Sequence, residues 1–106
     1  LLRLDTVKHI VEEHAWQSVY IYGGASLGIQ AYCAFRRFID VAGIIDRAGS
    51  LQIPRDDIEV IVPKDLEKID NDLPIIITPL EYARAIRDDL LKYRNEERIF
   101  YINELF

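Results

Sequence analysis

The sequence predicts a small α/β domain built on a doubly wound parallel sheet of four to five strands. Three observations carry that prediction. Short apolar runs alternate with stretches of helical periodicity along the chain. The runs are apolar at successive rather than alternate positions, as strands are when helices cover both faces of their sheet. The length, 106 residues, suits one domain around one core. Right-handed crossovers between the strands then give the order 3-2-1-4-5.

The elements follow in chain order. Residues 6–15 place Val7, Ile10, Val11 and His14 on one helical stripe, with Lys8, Glu12 and Glu13 opposite and Asp5 or Thr6 in position to cap. This stretch is a helical lead-in, residues 1–17, to the main domain at 18–106. Ser18-Val19-Tyr20-Ile21-Tyr22 is a strand by its β-branched and aromatic content, stopped by Gly23-Gly24. Leu27, Ala31, Ala34, Phe35 and Phe38 then share one face of a second helix, away from Gln30, Arg36 and Arg37.

Residues 41–45 form a buried strand that ends at Asp46, and 48–57 a loop holding Gly49, Ser50, Pro54 and several charges. A short strand at 58–62 leads to a small helix with Pro63 at its start. Residues 74–77 are a further buried strand. Thr78-Pro79-Leu80-Glu81 has the pattern of a helix start: threonine cap, proline next, glutamate three after the cap. The helix it opens carries Tyr82, Ala83, Ile86, Leu90 and Tyr93 on its inner face, and residues 98–102 close the chain as a strand.

Composition excludes several classes of function. The net charge is -5, from 13 basic and 18 acidic residues. Residues 51–75 alone carry -4 of it, as a solvated acidic rim. No basic stripe runs along the chain, so nucleic acid is not the expected partner. No apolar run approaches the roughly 20 residues of a membrane span. The one cysteine, Cys33, rules out an internal disulfide and fits a reducing compartment, so a cytoplasmic location is expected. With no methionine in the chain, the domain is expected to be excised from a longer protein, whose remainder is then its first partner.

The chemistry-bearing feature is the turn Gly23-Gly24-Ala25-Ser26-Leu27-Gly28, between the first strand and its helix. Gly23 suits the tight turn and Gly28 a close approach of helix to strand. Ala25 stands where the dinucleotide fingerprint has its middle glycine. Amides near Ser26 and Leu27 face an anion with the favourable end of the helix dipole. Asp46 follows Gly23 by 23 residues, at the end of the second strand, where an acid accepts bonds from a ribose hydroxyl. Arg47 beside it suits a 2'-phosphate or an adenine face. Thr78 ends a strand on the same rim. The candidate binding residues are therefore Gly23, Gly24, Ala25, Ser26, Leu27, Asp46, Arg47 and Thr78.

A family resemblance rests on Val19-Tyr20-Ile21-Tyr22-Gly23-Gly24, Val41-Ala42-Gly43-Ile44-Ile45-Asp46, Ile58-Glu59-Val60 with Pro63-Lys64-Asp65-Leu66, and Ile75-Ile76-Ile77-Thr78. From about Ser18 to Phe106 the chain resembles the Rossmann-like domains of polysaccharide-biosynthesis proteins. Such domains occur in sugar acyltransferases, nucleotide-sugar dehydratases, and small modules attached to glycosyltransferases and sugar-modifying methyltransferases. The resemblance implies a nucleotide or nucleotide-sugar held at Gly23, Gly24, Ser26 and Asp46. NAD(P) or a nucleotide-sugar is then the expected ligand, in a domain with no catalysis of its own.

Two other readings compete. Gly24-Ala25-Ser26-Leu27-Gly28 also spells the elbow of a serine hydrolase, with Ser26 as nucleophile. That chemistry needs an acid and a histidine later in the chain, yet His9 and His14 both precede the serine. The third reading is a worn interaction module that docks to its parent chain or to a second copy, by way of Phe100, Tyr101 and Phe106. His9 and His14, five apart, do not share a helix face as zinc ligands would, so no metal is expected. Cys33 is expected on the outer face of its helix as an incidental thiol.

Overall fold

A computed structural model describes residues 2–106. The chain runs through helix α1 (Leu4–Glu13), strand β1 (Ser18–Tyr22), helix α2 (Ser26–Phe35), strand β2 (Asp40–Ile45) and strand β3 (Val60–Ile61). A 3-10 turn (Pro63–Glu67), strand β4 (Ile75–Ile77), helix α3 (Ala83–Leu90), a second 3-10 turn (Glu96–Arg98), strand β5 (Ile99–Tyr101) and helix α4 (Ile102–Leu105) complete it. The five strands form one sheet in the order β3-β2-β1-β4-β5, and every pairing is parallel. The doubly wound sheet and its order are those predicted.

The sheet has two covered faces because its strands are apolar on both. Val19, Ile21, Ile44 and Ile76 pack on one side with Val7, Ile10 and Val11 of α1, Ala31 and Phe35 of α2, and Ile102 of α4. Tyr20, Tyr22, Ile45, Ile75 and Ile77 face the other side, against Ile86 and Leu90 of α3 and Leu66 of the 3-10 turn. The amphipathic stripe of α1 thus belongs to the common core. Burying Val7, Ile10 and Val11 contributes roughly 1.5–3 kcal/mol for each side chain, more than a ten-residue helix could supply by propensity. His14 stacks on Trp16 at 4.4 Å, and Phe100 meets Trp16 edge-on.

Several local expectations are corrected. The capped helix start at Thr78 is not formed; α3 begins only at Ala83, and the side chain at its N-cap, Tyr82, makes no capping bond. The reason lies in the sheet. The Thr78 amide extends the ladder to the Tyr22 carbonyl at 3.0 Å, which keeps Thr78 extended and its hydroxyl pointed at the strand. Tyr82 consequently precedes the helix and is 65% exposed rather than buried. Neither Asp5 nor Thr6 caps α1, whose N-cap is Arg3. Phe38 lies past the end of α2 and is exposed. The strand expected at 58–62 pairs only at Val60–Ile61, and Ile102 opens α4 instead of ending β5. Among the described residues no helix is long and apolar enough to cross a membrane.

Candidate functional site

The carboxyl ends of the strands meet a reversal of winding between β1 and β4. Connections leave to opposite sides there, so the loops part, which is the usual ligand position in an open α/β sheet. Gly23 makes the turn out of β1 with φ +117°, a conformation that glycine adopts without steric cost. Its amide donates to the Ile45 carbonyl at 2.8 Å. α2 then starts so close to the turn that a Cβ on Gly28 would overlap the Gly23 carbonyl. Both glycines therefore hold the roles expected of them.

Ala25 is the N-cap of α2, in extended conformation and without a capping side chain. Ala25 and Ser26 are exposed and Leu27 half-buried. Among the described residues, the amides of Ala25, Ser26, Leu27 and Gly28 have no acceptor on the protein. These are the four unpaired donors of a helix start, exposed at Ala25 and Ser26 and buried at Gly28.

Asp46 sits beside them, engaged with the chain itself. Its Oδ1 accepts the Gly24 amide at 3.0 Å, and its Oδ2 accepts the Ala48 amide at 2.9 Å. The Gly24 carbonyl accepts the Gln52 amide at 2.8 Å, and the Ser50 carbonyl oxygen stands 2.8 Å from where a Cβ on Gly24 would be. The loop after β2 is therefore folded onto the glycine turn, and Asp46 is the clamp between them. A clamp at both carboxylate oxygens is a role the sequence did not indicate.

Thr78 lies beneath the turn, 2% exposed. Its hydroxyl donates to the Tyr22 carbonyl at 2.7 Å, so it ties β4 to β1 and does not reach the rim as a ligand contact. Arg47 is exposed and lines a cleft of about 330 Å³ with Tyr22, Tyr82, Ala85, Ile86 and Asp89. Of these six, only Arg47 was expected at a site. Tyr22, the strand's last residue, is 3% exposed, and burial pushes its phenol up to about 12, the Arg47 charge acting against the rise.

Ser26 does not adopt the elbow conformation. It begins α2, and the only non-glycine residue described with positive φ is Ala15. The Ser26 hydroxyl accepts a bond from Gln30 Nε2 at 3.2 Å. His14 is turned to its own helix, with Nδ1 at 2.9 Å from the Ile10 carbonyl oxygen, and His9 pairs with Glu13 at 3.7 Å. Cys33 is exposed as expected, with Arg55 Nη1 donating to its sulfur at 3.2 Å. Comparison with protein-family models, with curated proteins and with solved structures finds no match to the chain.

Proposed function

We propose that this domain binds a nucleotide-type ligand, NAD(P) or a nucleotide-sugar, at the rim formed by residues 23–27, Asp46 and Arg47. The observation that carries the proposal is the set of four unaccepted amides, from Ala25 to Gly28, at the start of the helix that follows β1 beside the reversal of winding. A phosphate group satisfies such donors and is favoured by the helix dipole. Arg47, exposed and next in the chain to Asp46, supplies a cation. Asp46 holds the turn in shape and keeps further lone pairs for a sugar hydroxyl. No residues gathered here form an acid–base pair or an activated nucleophile, so the role is binding, as part of a larger sugar- or polysaccharide-processing protein in the cytoplasm. The chemistry comes from the ligand or from the rest of that protein.

Thermal-shift titration with NAD, NADP and nucleotide-sugars tests this. Free ligand at 100 times its dissociation constant stabilises the fold by roughly 2.7 kcal/mol, enough to move the melting temperature visibly. No shift with any nucleotide refutes the proposal. One observation favours the docking module as second reading: Leu80 and Tyr82, between β4 and α3, are 60% and 65% exposed. Concentration-dependent self-association in light scattering, abolished by Leu80→Lys, would support that reading.

A further inference from the structure

The cleft on the α3 side of the rim is better furnished than the glycine turn itself. Tyr22 is almost wholly buried, yet its hydroxyl has no hydrogen-bond partner among the described residues. No buried side-chain oxygen or nitrogen described lacks a partner. The hydroxyl must therefore be the part of Tyr22 that remains open, and the hollow it opens into is the cleft it lines. That hydroxyl, both donor and acceptor, is thus presented on the wall of the cleft.

The other walls are complementary. Arg47 is in no ion pair among the described residues, so its guanidinium is free to meet an anion. Asp89 stands opposite on α3, held at 3.1 Å by Lys92, and a carboxylate there accepts from hydroxyls. Ala85 and Ile86 give an apolar floor, and the open ring of Tyr82 gives a flat face.

Size and the neighbouring loop then choose the ligand. A cleft of about 330 Å³ lies at the small end of ligand sites, which run from roughly 300 to 1,000 Å³. That size suits one nucleoside. On the other side of the turn, the main chain of Ser50 and Gln52 packs on Gly24 and, among the described residues, leaves no cleft beside it for a second nucleoside.

Resting on the nucleotide reading above, we infer that this cleft is the nucleoside pocket and that the site takes a single nucleotide unit. The base lies on Tyr82, the ribose hydroxyls bond Asp89 and Tyr22, and the phosphate meets Arg47. A nucleotide-sugar satisfies this arrangement with its nucleoside end. A dinucleotide gains nothing from its second half.

Calorimetric titration of the domain with UMP, AMP, NAD and inorganic phosphate tests the inference, alongside the Tyr22→Phe and Asp89→Asn variants. Tyr22→Phe deletes only the unpaired hydroxyl, and Asp89→Asn keeps the shape of its side chain, so both variants should fold. A nucleoside monophosphate is expected to bind, NAD to bind within about threefold of AMP, and each variant to weaken AMP or UMP by about tenfold. Nucleotides that bind equally well to both variants, or NAD at least a hundredfold tighter than AMP, would overturn the pocket and leave nucleotide binding at the glycine turn standing. Inorganic phosphate matching the nucleotides would overturn the nucleoside assignment alone. Silence from every nucleotide would end both readings together.

Discussion

The Asp46→Ala variant removes the carboxylate that joins the glycine turn to the loop after β2. Two charge-assisted bonds go, at 3.0 Å to the Gly24 amide and 2.9 Å to the Ala48 amide. Their losses differ because the two donors differ in exposure. Ala48 is exposed, and water replaces its lost acceptor. Gly24 is buried under Ser50, and a buried donor left without a partner costs about 1–3 kcal/mol. The variant should therefore lose about 2 kcal/mol, or on the order of 8 °C in melting temperature for a domain of this size. Asp46→Asn keeps an oxygen for Gly24 and should lose about half as much. Urea unfolding followed by circular dichroism measures both, with the slope against denaturant unchanged if the fold is retained. An Asp46→Ala variant within about 0.5 kcal/mol of the parent, the range of inert surface changes, would refute the clamp. The distinction bears on function, since a ligand lost from Asp46→Ala but retained by Asp46→Asn would report a collapsed rim and not a missing ribose contact.

Other outcomes follow from the same geometry. Gly28→Ala should destabilise the domain, because overpacking against the Gly23 main chain costs roughly 1–3 kcal/mol and outweighs the roughly 1 kcal/mol of helix propensity gained; an unchanged urea midpoint would contradict this. Thr78→Val should cost about 1 kcal/mol through the lost bond to the Tyr22 carbonyl, while amide chemical shifts of α3 stay in place, since Thr78 does not cap that helix. Asp57 is held down to about 2 by hydrogen bonds from Arg55 and Arg36. Its folded value lies below the ordinary 3.8, so its contribution to stability is complete above that pH and lost as pH falls towards 2; Asp57→Asn should remove that dependence from acid unfolding curves. Tyr22 shows the opposite case. With its phenol raised from 10.0 to about 12, stability from this group is whole below pH 10 and lost as pH rises to 12. Ultraviolet titration should show one tyrosine ionising late, and Tyr22→Phe should abolish that late step.

Those elements whose periodicity is set by burial were legible from residue order. β1, β2 and β4 are runs that only a doubly covered sheet can bury, and the stripe of Val7, Ile10 and Val11 settles α1. The glycine turn was legible too, because positive φ at Gly23 and the space taken at Gly28 are demands that no other residue type meets. Thr78-Pro79-Leu80-Glu81 misled because a capping pattern is local, whereas the competing bonds to Tyr22 come from 56 positions away in the chain. Phe38 misled for a related reason: helical spacing continues past the point where α2 gives way to the turn before β2.

The two-sided core and the glycine bend after β1 were thus determined by the sequence alone, since each expresses a preference carried by neighbouring residues, and the strand order followed from them through the right-handed crossover. The tertiary structure alone decided what the rim offers. Only folding lays residues 48–52 on Gly24 and turns Asp46 into a clamp. Only folding sets Tyr22 of β1, Arg47 of the loop after β2 and Asp89 of α3 around one cleft. A hydrogen bond or a pocket depends on distances across the fold, and those are fixed by the packing of elements far apart in the chain.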